Sequence, residues 1–287
     1  MIKLLALDLD GTLLDSKSGI PAGHVRAVCR AQQAGVQVAL CTGRSLNDAA
    51  AFSGALEAPA DWLISCNGAD VRRRGQPPVS TGYMERALFE RLLDAGAARG
   101  AEPCMYTPER VYYSRAFERF VDSIRVQGCR LDYENRPDYV PAYTREAWDA
   151  ALDREGGAVC KAILYHDDPA VVDAVLDRLR AEGGYELAPS AMFGGKVKNV
   201  EVNRAGVNKG TALLALAAKL GVPRDGVMAI GDSDNDLAML EAAGLSVAMG
   251  NAPDYVCAAA QYRTATSDEN GVGLAIERFI LNGEDGI

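Results

Sequence analysis

Two carboxylates stand two residues apart in Asp8-Leu9-Asp10-Gly11-Thr12, at the point where an apolar run beginning at Ile2 ends. Carboxylates that close repel each other unless a cation lies between them. In an extended strand, alternation turns Asp8 and Asp10 to the same side, and Gly11 lets the chain bend sharply past them. A denser acidic group, Gly231-Asp232-Ser233-Asp234-Asn235-Asp236, follows a second apolar run, Val227-Met228-Ala229-Ile230. Its mutual repulsion asks for a divalent metal or the positive end of a helix.

Two further motifs suit the opposite task, holding an anion. Cys41-Thr42-Gly43-Arg44 sets a hydroxyl, a flexible backbone and a guanidinium together before a helix start, as oxyanion binding requires. In Asn208-Lys209-Gly210 the lysine opens a long apolar helix. A cation there opposes the helix dipole and is best explained by an anion in front of it. Singly, each motif is matched by an ordinary strand end or helix cap; together they describe a site for a compact oxyanion and a divalent cation.

The elements that must carry these groups alternate between strand and helix. Strand patterns at 2–9, 36–41 and 62–65 enclose helical patterns at 22–34 and 46–56, with Gly35 as a helix stop and Ser45 as an N-cap. This is a parallel α/β beginning, in which sites gather at the carboxyl ends of strands. From residue 84 the character shifts. Tyr106, Tyr112, Tyr113, Tyr133, Tyr139 and Tyr143 crowd together, with helices expected at 85–99 and 169–182 and strands at 159–165 and 185–188. The stretch reads as an inserted α+β domain over 84–190, its tyrosines chiefly as packing, with one or two left to face a sugar-sized ligand. The first domain then resumes with strands at 200–202, 227–230 and 245–249 and helices at 209–220, 234–242 and 272–280. A short linker, 191–195, marks the return, and the 287 residues suit two domains.

Composition narrows the function. Hydrophobic residues at 48% and charged residues at 24% describe a compact globular chain. The net charge of −9 argues against a nucleic-acid partner, which needs a basic surface, and the insert carries 14 Lys and Arg against 20 Asp and Glu. The first apolar run is broken by Asp8 and Asp10 well short of a signal peptide or membrane span, pointing to the cytoplasm and no membrane partner. Seven scattered cysteines, among them Cys41 and Cys129, suggest neither a disulfide framework nor a zinc knuckle. His24 and His166 lack neighbours that would make them ligands or bases, and Gly271-Val272-Gly273 is not a dinucleotide fingerprint.

In this order, at the ends of three strands, the four motifs resemble the haloacid dehalogenase superfamily of phosphohydrolases. The insert length, Asn67-Gly68-Ala69, Gly206-Val207-Asn208-Lys209-Gly210 and Val247-Ala248-Met249-Gly250-Asn251-Ala252 are similar to its Cof-type branch. The resemblance implies a Rossmann-like parallel-sheet core over 1–83 and 191–287, with 84–190 as a specificity-setting cap. It implies a Mg²⁺-dependent phosphatase acting on a small phosphorylated metabolite through an aspartyl-phosphate. Sugar phosphates lead, ahead of pyridoxal or flavin phosphates. Asp8 would be the nucleophile and Asp10 the general acid and then base. Asp8, the backbone carbonyl of Asp10 and Asp232 would hold the metal, with Asp236 orienting its waters or approaching it directly. Thr42, Gly43, Lys209 and Asn235 would gather the phosphoryl oxygens, and Arg44 would reach the phosphate or the rest of the substrate. The rival readings are a phosphomutase or phosphotransferase with the same nucleophile, and a non-catalytic phosphometabolite sensor.

Overall fold

The computed structural model describes residues 1–126, 133–192 and 194–282, so Cys129 and Phe193 lie outside the described residues. The chain opens with β1 (Leu4–Leu7), four apolar residues buried on both faces, as a central parallel strand must be. Next come α1 (Ala22–Gln33), β2 (Gln37–Cys41), α2 (Leu46–Gly54) and β3 (Trp62–Ser65). Ser45 caps α2 as expected, accepting from the backbone N–H of Asp48. Two short antiparallel strands, β4 (Asp70–Arg72) and β5 (Pro78–Thr81), lengthen the edge beyond β3.

A second compact unit, Gly82–Gly206, follows. It contains α3 (Arg86–Ala97), β6 (Pro103–Tyr106), β7 (Val111–Tyr113), α4 (Arg115–Val126), β8 (Tyr139–Pro141), α5 (Arg145–Arg154), β9 (Lys161–Tyr165), α6 (Pro169–Glu182), β10 (Tyr185–Met192) and β11 (Val197–Arg204). The strands form one sheet in the order β10-β11-β9-β6-β7-β8. Met105, Ala162, Leu164, Val200 and Val202 pack with Phe89 and Leu92 of α3 and Val175 and Leu179 of α6. Tyr113, Tyr133 and Tyr139 interlock with Phe117, the Tyr113 and Tyr133 rings meeting edge-on at 5.0 Å. That is the packing role expected of the tyrosines.

The first unit resumes with α7 (Lys209–Leu220), β12 (Val227–Gly231), α8 (Leu237–Ala242), β13 (Leu245–Ala248), α9 (Asp254–Ala259), β14 (Tyr262–Arg263) and α10 (Gly271–Ile276). Its sheet runs β14-β13-β12-β1-β2-β3-β4-β5, parallel from β14 to β3. The chain thus winds outward from β1 in both directions, and the β1–β12 seam is the switch point where open α/β sheets place their sites. Alternate residues of β1 serve opposite layers. Leu5 and Leu7 pack with α1 and α10, and Leu4 and Ala6 with α7 and α8.

The return crossing differs from the expectation at 190–191. It falls between Gly206 and Val207, and the outward crossing between Thr81 and Gly82. The strand expected at 200–202 belongs to the inserted unit: β11 pairs with β10 from Tyr185 opposite Arg204 to Met192 opposite Val197, and with β9 on its other side. Of the supposed linker at 191–195, Ala191 and Met192 belong to β10, paired with Lys198 and Val197 of β11. Alternation identifies a strand but not the sheet that accepts it.

Candidate active site

Asp8 follows β1 directly, and the strand does not continue through Asp10. The chain turns over Leu9–Leu13, with Gly11 in the left-handed region at φ 77°. Asp8 therefore points inward and is nearly fully buried, while the Asp10 side chain remains 56% exposed. Because the strand ends at Leu7, the condition under which alternation would turn Asp8 and Asp10 to one side is not met. Asp10 instead receives both Nε and a terminal nitrogen of Arg44, at 2.7 and 2.5 Å. Arg44, expected near an anion, is thus held by a carboxylate and stacks over Phe52.

Asp232 and Asp236 come from the loop after β12, the strand beside β1. One carboxylate oxygen from each of Asp8, Asp232 and Asp236 lies within 4.8 Å of the others. Lys209 enters this group at the first position of α7. Asn208 caps that helix, accepting from the Thr211 N–H while the Thr211 hydroxyl accepts from the Asn208 N–H. A Cβ at Gly210 would lie 2.2 Å from the Ala238 carbonyl oxygen, so only glycine lets α7 approach α8 this closely. The fully buried Lys209 ammonium donates to Asp8 Oδ1 and Asp236 Oδ1, each at 2.7 Å, and to Asn235 Oδ1 at 3.1 Å.

The acids are not equivalent. Asp236 Oδ2 accepts from the Asp232 and Ser233 N–H groups at 2.9 and 3.1 Å, and its Oδ1 is taken by Lys209. It thereby holds the loop and the lysine. Asp232 accepts from the Thr12 hydroxyl at 3.1 Å, and its other oxygen packs so tightly on Gly11 that a Cβ there would lie 2.3 Å away. Burial, then the charge of Asp236, pushes the Asp8 carboxyl well above its ordinary range, with Lys209 opposing. The same two causes push Asp232 up to about 6. Burial alone would lower the Lys209 pKa, but Asp236 and Asp8 more than reverse this and keep it charged. Three acids around one ammonium leave an excess of negative charge in an all-oxygen donor set, which fits a hard divalent cation.

Thr42 is buried, its hydroxyl accepting from the Arg44 N–H at 3.1 Å, and Gly43 is half-buried in the same turn. The neighbouring Cys41 thiol is pushed up by burial and stays protonated. After β3, Cys66, Asn67 and Gly68 all have positive φ, and the Asn67 Oδ1 accepts from Asn235 Nδ2 at 3.3 Å. His24 lies 3.0 Å from the Leu13 carbonyl, and His166 accepts from the Asp168 N–H at 3.0 Å, so both are engaged by backbone. Thr12, Asn67 and Asn251 were not among the expected site residues. A left-handed asparagine after a strand is the signal that could have singled out Asn67.

A family model described as haloacid dehalogenase-like hydrolase matches residues 5–276. The chain belongs to the haloacid dehalogenase superfamily. Within it, this haloacid dehalogenase protein is a Cof-type phosphatase, a phosphoric monoester hydrolase. It is 30% identical over 280 residues to the 5-amino-6-(5-phospho-D-ribitylamino)uracil phosphatase YcsE of Bacillus subtilis (strain 168), covering 98% of this chain and 96% of that one. It is 31% identical over 263 residues to the pyridoxal phosphate phosphatase YbhA of Escherichia coli (strain K12), covering 90% and 91%. A solved haloacid dehalogenase-like hydrolase from B. subtilis superposes with a TM-score of 0.82 at 26% identity, covering 96% of this chain and 99% of that one. Among the described residues no helix is long and apolar enough to cross a membrane.

The charge balance around Lys209 is testable without substrate. Lys209→Met leaves buried carboxylates without their counterion, a change that typically costs about 3–5 kcal/mol. Asp8 and Asp232 already titrate above the ordinary carboxylate value, so their neutral forms favour the fold at low pH and that contribution is lost as pH rises. The variant's deficit in urea unfolding without metal is expected to be large at pH 7.5 and smaller at pH 5. A deficit equal at both would show that these acids do not answer to the lysine.

Proposed function

We propose that this phosphatase hydrolyses a small phosphorylated metabolite in two steps through a phosphoryl group carried on Asp8, with Mg²⁺ as its cofactor. The observation that carries the reading is the buried Asp8 carboxylate, held by Lys209 at the β1–β12 switch point and facing an acidic group with excess negative charge. Asp8 attacks phosphorus in line, the bond to the ester oxygen breaks on the far side, and Asp10 protonates the departing oxygen. Water then attacks phosphorus, Asp10 takes its proton, and phosphate leaves Asp8. Arg44, gripping both Asp10 oxygens, aims that carboxylate. Lys209, Asn235, Thr42 and Gly43 gather the phosphoryl oxygens, where charge spreads in the transition state. Asp8, Asp232 and the Asp10 carbonyl would hold Mg²⁺, with Asp236 behind them. When bound, it neutralises the acids and polarises the phosphoryl group.

The substrate class rests on relatives whose names give a phosphoribityl compound and pyridoxal phosphate as substrates. Sugar phosphates remain the first class to test, with those two compounds beside them. A panel read by inorganic phosphate release, without added acceptor, tests hydrolysis directly. Product appearing only with a second sugar would make the enzyme a transferase.

The two aspartates are expected to separate kinetically. Asp8→Asn is isosteric but cannot carry phosphate, and abolishes turnover on every substrate. Asp10→Asn still transfers phosphoryl from an aryl phosphate, whose leaving group needs no proton, and gives a burst followed by stalled hydrolysis. An Asp8→Asn enzyme within tenfold of wild type, or an Asp10→Asn enzyme unimpaired on an alkyl phosphate, would sink the assignment.

The metal reading predicts a pH-linked stabilisation. Asp232 rises from an ordinary 3.8 to about 6 in the metal-free fold and Asp8 is pushed up as well, so protons compete with the ion for both carboxylates. The increase in Tm on adding Mg²⁺ should therefore be small at pH 5 and grow through pH 6 and above. An increment independent of pH would place the ion elsewhere.

Substrate choice is assigned to residues 82–206, because every group given a phosphorus role lies outside them. Replacing this unit with a short Gly/Ser linker is expected to retain slow hydrolysis of a small aryl phosphate. It should also collapse the ratio of kcat/KM for the best metabolite over that ester. An unchanged ratio in a folded deletion would assign selection to the core.

A further inference from the structure

We propose that Asn251, in the loop between β13 and α9, is a positioning residue that fixes the Asp232 carboxylate for metal binding. Its side chain makes three directed hydrogen bonds. Nδ2 donates to the Gly11 carbonyl at 2.8 Å and to Asp232 Oδ2 at 3.2 Å, and Oδ1 accepts from the Ser267 N–H at 3.0 Å. One amide thus joins the turn after β1, the loop after β12 and the segment leading to α10. A primary amide has two N–H donors, and both are directed at oxygens of the two loops that carry Asp8 and Asp232.

The alternative, that Asn251 only holds the fold, is weakened by its exposure. Exposed hydrogen bonds exchange readily with water and contribute little to stability. Asp232, by contrast, depends on directed contacts for its orientation. Oδ1 is held by Thr12, and Oδ2 lies against Gly11 with Asn251 as its amide donor. Without that donor the carboxylate can turn about its terminal bond. The Ser267 contact presents the amide with its NH₂ end toward the acid. The outer partner of a metal-binding carboxylate commonly governs affinity by 10–100-fold.

This inference rests on the Mg²⁺ reading above, and its test separates the two. Magnesium affinity of the full chain, without substrate, is measured by isothermal titration calorimetry for wild type, Asn251→Ala and Asn251→Ser, alongside the Tm of each metal-free protein. The alanine variant is expected to bind Mg²⁺ about tenfold or more weakly, while its metal-free Tm moves by only a few degrees. The serine variant, retaining one hydroxyl donor, should fall between. The Mg²⁺ concentration for half-maximal phosphate release should rise by the same factor. An alanine variant with wild-type Mg²⁺ affinity overturns the positioning role while leaving the metal reading intact. A wild-type protein that takes up no Mg²⁺ overturns both. If neither variant folds, Asn251 is a fold-holding residue and the proposal fails.

Discussion

The site depends on one buried ammonium. Lys209 has no access to water and survives there as a cation because two carboxylates lie 2.7 Å away. Those carboxylates reach it from adjacent parallel strands of opposite winding, Asp8 from β1 and Asp236 from the loop after β12. The asparagine cap sets the lysine at the start of α7, and the bare α-carbon of Gly210 brings that helix against α8. A shift in any of these would leave an unpaired charge in a dry interior, a larger penalty than most side-chain contacts can offset.

Much of the core was legible because its grammar is local. An apolar strand that stops at an acid, a serine before a helix, and an asparagine before Lys209 each announce a boundary within a few residues. The bounds expected for 62–65, 169–182 and 209–220 are those observed. Local grammar failed where the decision was long-range. Nothing within 200–202 says that this strand prefers the inserted sheet, since that choice is made by pairing with β9 and β10. The directions of Asp8 and Asp10 depended on where β1 ended, which alternation presupposes and cannot supply. Asn67 and Asn251 stood out only as branch markers, because their partners lie 168 and up to 240 residues away.

The acids also show how similar residues are given different tasks by their surroundings. Asp236, fully buried, has its oxygens occupied by backbone donors and lysine, Asp10 is exposed and gripped by Arg44, and Asp8 and Asp232 are the acids whose carboxyls are pushed up. Loop geometry, more than residue identity, separates an acid whose oxygens are occupied from one whose carboxyl is pushed up. The close stacking of loops over the switch point makes that separation possible.

The buried Cys41 thiol, immediately before Thr42, has a consequence for redox behaviour. Phosphatases that attack with a thiolate are silenced when an oxidant converts that sulfur to a sulfenic acid. Here the chain places its sulfur one residue from the Thr42 hydroxyl but keeps it dehydrated and protonated, without the thiolate character that oxidants need. The groups that accept hydrogen bonds from Lys209 are carboxylates and an amide. Cys41 therefore offers peroxide no thiolate to oxidise.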